Sequence, residues 1–228
     1  MITHGKKYLE ASKNIEPGKI YEFNDAVEIL KKSNTAKFDE TINLSVNIGI
    51  ETKQTDQNIR GTVVLPYGLG KQVRVLVFTK NEKEAREAGA DYVGSEDMVN
   101  KILGGWLEFD TIIATPDLMG IVSKLGKILG PKKLMPNPKL GTVTFEITKA
   151  VKEAKAGKVE IKNDKGGVVH TIIGKKSFVR EQLYENFNAI MEKLKALKPS
   201  TSKGQFLRSA YISTTMGPGI KLNLTNYR

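Results

Sequence analysis

Every even position of Thr41-Ile-Asn-Leu-Ser-Val-Asn-Ile-Gly-Ile50 is apolar and every odd one is polar or glycine. That period of two belongs to a strand with one buried and one wet face. Ahead of it lie a polar arm and a short helix from Asn24 to Lys32, with Asn24 as its cap and Ala26, Val27, Ile29 and Leu30 as its apolar stripe. Ile59 to Leu65 supplies a second strand. These elements are too few to close a core, so they need partners from elsewhere in the chain. The last third offers strands of the same kind. Val159 to Lys162 and Val168 to Ile173 alternate, a long helix runs from Ser177 to about Leu197 and stops at Pro199, and Phe206 to Thr215 and Gly219 to Leu224 alternate again.

The middle third is different. Val73-Arg-Val-Leu-Val-Phe78 and Thr111-Ile-Ile-Ala114 are short, mostly apolar runs of the kind buried on both faces of a parallel sheet. Helical patterns alternate with them at Glu82 to Ala88, Ser95 to Leu103 with Ser95 as cap, and Pro116 to Leu129. The economical fold is a discontinuous α+β domain built from both chain ends, residues 1–67 and 159–228. A Rossmann-like α/β domain, residues 68–158, is inserted into it. The two crossings would act as hinges at Pro66, Gly68, Gly70 and Gly157, where glycine absorbs backbone rotation.

Composition narrows the chemistry. Cysteine is absent and the only histidines are His4 and His170. The usual thiolate or imidazole metal cage and a Cys-His dyad are therefore out of reach, and neither a metal nor a catalytic residue is expected. No apolar run approaches the roughly 20 residues of a spanning helix, and the N-terminus lacks a secretory core, so the expected location is the cytosol and no membrane is implicated. The net charge is +11. Residues 1–67 hold nine basic and nine acidic residues, 68–158 hold 15 and 11, and 159–228 hold 12 and five, so the surplus climbs from 0 to 4 to 7. A surface charged only for solubility has no reason to gather its excess in one third; a polyanionic partner does.

Gly68-Leu-Gly-Lys71 is not a phosphate loop, because Leu65 and Gln72 stand where that motif requires glycine and a hydroxyl. Nor does a glycine fingerprint open the first helix of the middle domain, which argues against a dinucleotide cofactor. Gly126 to Gly141, with four lysines, three glycines and three prolines, reads as an extended cationic surface loop, either a solvated connection or a phosphate contact. Thr35-Ala-Lys-Phe-Asp-Glu-Thr41 sets Phe38 beside Lys37, so Phe38 is either a core plug or a stacking surface for RNA. Asn163-Asp-Lys-Gly-Gly167 reads as a hairpin turn. Thr214-Thr-Met-Gly-Pro-Gly219 puts two hydroxyls and a glycine-opened backbone between strands, a combination that can donate to phosphate or ribose.

These stretches, together with Asp56-Gln-Asn-Ile-Arg-Gly-Thr62, Leu65-Pro-Tyr-Gly-Leu-Gly-Lys71, Ala88-Gly-Ala-Asp91, Leu129-Gly-Pro131 and Met135-Pro-Asn-Pro138, occur in the order and spacing of one family. Over essentially its whole length the sequence resembles the ribosomal protein L-one family. The resemblance implies a two-domain, non-enzymatic protein of the large ribosomal subunit, monomeric off the ribosome and without a cofactor. It further implies that the first domain grips large-subunit rRNA at the lateral stalk, that stalk movement assists release of deacylated tRNA from the exit site, and that the protein represses its own operon by binding its mRNA. The RNA face carried over comprises Lys37, Phe38, Thr41, Asn163, Asp164, Lys165, Thr214, Thr215, Met216 and Gly217, with His170 and Arg208 beside them. Gly219 departs from the family turn, which often carries serine there. Two rival readings are an enzyme using the α/β domain for a nucleotide or sugar phosphate, and a DNA-binding repressor. The missing glycine fingerprint counts against the first and the lack of a basic recognition helix against the second.

Overall fold

The computed structural model describes residues 5–33, 36–52, 55–199, 201–202 and 204–227. His4 and Thr35 lie outside the described residues. In chain order the first elements are α1 (Lys6–Ser12), α2 (Phe23–Lys32), β1 (Thr41–Ile48), β2 (Arg60–Val64), β3 (Val75–Phe78) and α3 (Glu82–Glu87). Then come β4 (Tyr92–Gly94), α4 (Glu96–Leu103), β5 (Thr111–Ala114), α5 (Met119–Val122), α6 (Gly126–Leu129) and α7 (Ile147–Lys155). The chain finishes with β6 (Lys158–Lys162), β7 (Val168–Lys175), α8 (Arg180–Ala196), β8 (Leu207–Thr214) and β9 (Ile220–Leu222). None of the described helices is long and apolar enough to cross a membrane.

Two compact units form, Met1–Gly70 with Val159–Arg228, and Lys71–Lys158. In the first, an antiparallel sheet runs in the order β7-β1-β8-β9, so the expected strand of the first third is paired on both sides by strands of the last third. Its even residues Ile42, Leu44, Val46 and Ile48 are fully buried with Val27 and Leu30 of α2 and Leu183, Phe187 and Ile190 of α8. A second, two-stranded sheet joins β2 to β6, again one strand from each end of the chain.

Details differ from the sequence expectation for physical reasons. Helix α2 begins at Phe23, and Asn24 is not its cap; the N-cap position is Glu22, with no side-chain cap bond. The Phe23 ring stacks on Phe187 at a centroid distance of 4.5 Å, and that packing draws residue 23 into the first turn. The outgoing boundary falls after Gly70 rather than after Tyr67. Asn186 explains it, since its Oδ1 accepts the Tyr67 N–H (3.1 Å) and its Nδ2 donates to the Gly68 carbonyl (3.2 Å). Gly70, with φ of +67°, lies so close to Phe178 that a Cβ would come within 2.7 Å of the ring.

The second unit carries a parallel sheet ordered β4-β3-β5, widened by a parallel bridge between Ala114 and Val143. Helices α3 and α7 share a core with Val75, Val77 and Ile113, while Leu76, Phe78 and Ile112 pack with Ile102 of α4 and Leu125 and Leu129 on the opposite face. This is the doubly covered layering that both-face-apolar strands require. Two elements stand outside the expectation, β4, only three residues long, and α7, whose inward stripe of Ile147, Ala150, Val151 and Ala154 is half alanine. Ser95 occupies the N-cap position of α4 without a side-chain cap bond.

The expected helix from Pro116 to Leu129 is not continuous. It breaks into a 3-10 turn, α5, a second 3-10 turn and α6. Gly120 and Gly126 each cost roughly 1 kcal/mol of helix propensity relative to alanine. The tightened turns still keep Leu118, Val122, Leu125 and Leu129 buried.

Candidate nucleic-acid interface

The odd residues of β1 form the middle of the sheet's outer face. Ser45 lies between His170 of β7 and Tyr211 of β8, Asn43 between Ile172 and Ser213, and Asn47 between Val168 and Ser209. Ser45 Oγ and His170 Nδ1 are hydrogen-bonded at 3.0 Å, and Lys221 pairs opposite Tyr211 on β9. The face is therefore polar, with exposed His170 and Tyr211 and a half-exposed lysine. Phosphate, ribose and base edges can all find partners on such a surface.

At the Thr41 end of this sheet two loops are locked together. The Thr41 N–H donates to Thr215 Oγ1 (3.1 Å), and the Thr215 hydroxyl donates back to the Thr41 carbonyl (3.4 Å). The Met216 N–H donates to Glu40 Oε1 (2.9 Å). Glu40 is only 1% exposed; its Oε2 lies 3.8 Å from Lys176 Nζ and its carbonyl accepts the Lys176 N–H (2.8 Å). Asp39 holds the neighbouring turn through the N–H and hydroxyl of Ser177 (3.1 and 2.8 Å), while Lys175 Nζ reaches Thr41 Oγ1 (3.1 Å).

What this lock leaves in solvent is chemically unusual. Phe38 and Met216 are each 58% exposed, and Lys37 is exposed beside Phe38. Of the two sequence readings of Phe38, the core plug is therefore overturned. Large apolar side chains held out of the core by rigid loops, with ammonium groups close in sequence, suit a surface that covers a base or ribose.

Thr214 needs correction as an RNA-facing hydroxyl. It is only 2% exposed, and its Oγ1 points inward beneath Gly217, without a partner among the described residues. A Cβ at Gly217 would fall 2.3 Å from that oxygen, so position 217 is glycine because Thr214 occupies the space below it. The Thr215 hydroxyl is likewise spent largely on the lock, which makes Thr215 a holder of the turn more than a donor to a ligand.

Asn163, Asp164, Lys165 and Arg208 sit at the other end of the sheet, since Asn47 pairs with Val168 and Ile48 with Leu207. The eight residues of β1 separate the two groups by about 23 Å at about 3.3 Å per residue, with His170 between them. Asn163 is buried and its side chain is committed internally, accepting the Ile59 N–H (2.7 Å) and donating to Asn58 Oδ1 (3.2 Å) and the Asp164 carbonyl (3.0 Å). Its role is to fasten the hairpin to the loop before β2, which corrects its assignment as a contact residue. Lys165 and Arg208 are exposed, the latter lying over Gly49.

Asp164 closes its own turn, its Oδ1 accepting the N–H groups of Gly166 and Val168, both at 2.8 Å. The Val168 bond above all, with the Gly166 bond and the neighbouring His170, holds its carboxyl below the ordinary carboxylate range against the opposing effect of desolvation. With a depressed folded-state pKa, the turn has its full support above the ordinary carboxylate value and loses it as the pH falls through the lowered one. A pH titration followed by amide NMR should accordingly show the Gly166 and Val168 amides moving together, with a midpoint below that of a free aspartate. A midpoint at the free value would show that the two bonds contribute nothing to the ionised form.

Among residues that the sequence reading did not assign, Glu40, Lys175 and Lys176 shape the Thr41 end, and Asn43, Ser45, Asn47, Tyr211 and Ser213 make the outer face. The last group was signalled by the wet positions of the alternation itself. Glu40 carried no such signal, because a glutamate before a strand ordinarily faces water.

A model of the Ribosomal protein L1p/L10e family matches residues 30–218 of this chain. Curated relatives from strains of Thermus thermophilus, each named large ribosomal subunit protein uL1, are 52–53% identical over 226 residues, covering 98% of this chain and 99% of theirs. A match of that extent, spanning both chain ends and the insertion between them, leaves one conclusion: the chain belongs to the Ribosomal protein L1p/L10e family.

Proposed function

We propose that this protein is a structural, non-enzymatic constituent of the large ribosomal subunit in the cytoplasm. In this reading the first unit grips large-subunit rRNA at the lateral stalk. The observation that carries it is the pair of locked loops that hold Phe38 and Met216 in solvent beside a polar sheet face, in a chain whose relatives are named as large-subunit proteins. Recognition is by shape: the locked backbone sets the register of a folded RNA, Phe38 and Met216 cover a base or ribose, and Lys37, Lys165 and Arg208 neutralise phosphates.

Two finer functions belong to the same proposal. Movement of the stalk would assist release of deacylated tRNA from the exit site, and the same face would bind the mRNA of the protein's own operon and repress it. Competition between rRNA and mRNA for one surface is then the switch. Hinges at Pro66, Gly68, Gly70 and Gly157 are also proposed. Gly68 and Gly70 are held against Asn186 and Phe178, and Gly157, with φ of +95°, follows α7. On the outgoing crossing these contacts would limit rotation at Gly68 and Gly70, whereas Gly157 would be the freer pivot on the return.

Filter binding tests the reading, using a stalk-region rRNA fragment and a scrambled RNA of equal length at several salt concentrations. Fragment-selective binding that survives moderate salt is expected. Equal, weak binding to both would reduce the charge to a nonspecific footprint and reopen the enzyme reading. Within that assay, Met216→Asp should weaken fragment binding by about 30-fold, the roughly 2 kcal/mol of a buried interface anchor, and Thr215→Ala should weaken it by unlocking the turn. Removal of any one lysine between Lys124 and Lys139 should cost less than either. Equal losses at the two places would overturn the division between a specific turn and a generic basic surface.

A further inference from the structure

The second unit has a surplus of four positive charges, and one segment accounts for all of it. Residues 118–145 contain five lysines and not one aspartate or glutamate, whereas the rest of residues 71–158 holds ten basic and eleven acidic residues. The sequence expectation of an extended loop does not hold here. Leu118, Val122, Leu125 and Leu129 are buried at steps of four, three and four residues, Pro136 is buried, and Leu134 and Met135 pack partly against the same core. With the apolar side chains facing inward, the chain has only one other direction in which to put Lys124, Lys127, Lys132, Lys133 and Lys139, and all five are exposed.

Their pairing differs from that of the unit's other cations. Of those ten, Lys71, Arg74, Arg86, Lys149, Lys155 and Lys158 each have a carboxylate within ion-pair distance. None of the five segment lysines has one among the described residues. Lys133 also adopts φ of +59°, the left-handed region usually left to glycine, at the reversal where the Leu134 N–H bonds back to the Leu129 carbonyl (3.0 Å). The reversal fixes where Lys132 and Lys133 leave the surface. No aromatic ring lies among the lysines from Lys124 to Lys139, so a base has nothing to stack on there; the segment's one aromatic, Phe145, is 69% exposed at its far end.

We propose that the unpaired lysines of this acid-free segment form a second RNA-binding site, one that takes the phosphate backbone of structured RNA without reading its sequence. It rests on the ribosomal reading above, and it adds a contact on a unit that the RNA face of the first unit does not include. Unpaired ammonium groups on a scaffold anchored by a leucine stripe release counterions from a polyanion and select no base, so their contribution appears as salt dependence more than as specificity. The backbone could come from rRNA or from tRNA, and the chemistry is shared.

The test uses the full chain carrying Lys127→Gln, Lys132→Gln, Lys133→Gln and Lys139→Gln together. Its control removes the same charge elsewhere on the unit, through Lys80→Gln, Lys83→Gln, Lys101→Gln and Lys152→Gln, four exposed lysines without ion pairs among the described residues. Affinity is titrated against salt for the stalk rRNA fragment and, separately, for a folded tRNA, with circular dichroism confirming that both variants are folded. The slope of log affinity against log salt should flatten by about 0.9 for each phosphate released, so by about 2 if half the lysines engage, and more than in the control. Flattening with the rRNA fragment alone assigns the surface to rRNA, with tRNA alone to tRNA, and with both to structured RNA in general; each supports the proposal. Unchanged slopes for both RNAs, or flattening equal to that of the control, overturn it. Loss of fragment selectivity in the unmodified protein would instead overturn the ribosomal reading of the first unit, so the two failures are distinguishable.

Discussion

Glu40→Ala is expected to lower affinity for the stalk rRNA fragment by about 10- to 100-fold, although Glu40 itself is buried and touches no solvent-facing ligand. Its carboxylate accepts the Met216 N–H at 2.9 Å and lies 3.8 Å from the Lys176 ammonium. A hydrogen bond to a charged group contributes about 1.5–3 kcal/mol, and each 1.4 kcal/mol is a factor of ten in affinity. Removing the carboxylate also leaves a largely buried ammonium with a backbone carbonyl, that of Ser33, in place of a counter-charge. The turn that carries Met216 would then sample positions in which its side chain no longer meets the RNA. Glu40→Gln retains an acceptor for the Met216 N–H and should recover part of the lost affinity, whereas a purely electrostatic role would give both variants the same loss. If Glu40→Ala lowers the melting temperature but leaves RNA affinity intact, the carboxylate is only a core ion pair.

Asn186→Leu should destabilise the first unit more than any of the other substitutions named above. This side chain is wholly buried in α8 and makes three hydrogen bonds to backbone: it accepts from Tyr67 and donates both amide hydrogens, to the carbonyls of Gly68 (3.2 Å) and Ile173 (2.7 Å). Leucine fills a similar volume but strands three backbone groups, at about 1–3 kcal/mol for each that water cannot reach. A total of about 3–5 kcal/mol lowers the melting temperature of a unit this size by roughly 10–20 °C. Scanning calorimetry would read the shift, and RNA affinity measured well below the transition should stay close to that of the unmodified protein. An unchanged transition would show that the segment from Pro66 to Gly70 does not depend on Asn186 for its place in the first unit.

Both predictions concern residues whose importance is not visible in the sequence. Alternation over Thr41 to Ile50 is enough to say which side chains of β1 enter the core, because a period of two leaves no other arrangement for a half-buried strand. The contrast between the alternating ends and the apolar runs of the middle is likewise enough to divide the chain into a discontinuous α+β part and an inserted α/β part. Motif order carried the family, and the family match bears that out. Phe38, Thr215 and Met216, three of the residues carried over from the resemblance, are exposed.

Hydrogen-bond partners far apart in sequence decided the rest. Glu40 and Met216 are separated by 176 residues and Thr41 and Thr215 by 174, so no local pattern could announce that their loops are locked together. Thr214 and Thr215 are neighbours with the same side chain. Thr214 ends β8 with its hydroxyl turned inward under Gly217, while Thr215 opens the turn and bonds the Thr41 backbone. Asn163 looked like a contact residue and proved a fastener, because β2 and β6 come from opposite chain ends and their junction needed a polar tie. The sequence by itself thus determined the layers, the wet and dry faces and the family, all of which follow from periodicity and short-range chemistry. Only the tertiary structure decided which polar groups are spent inside the protein and which are left for RNA, because a donor's availability depends on what the distant parts of the chain place beside it.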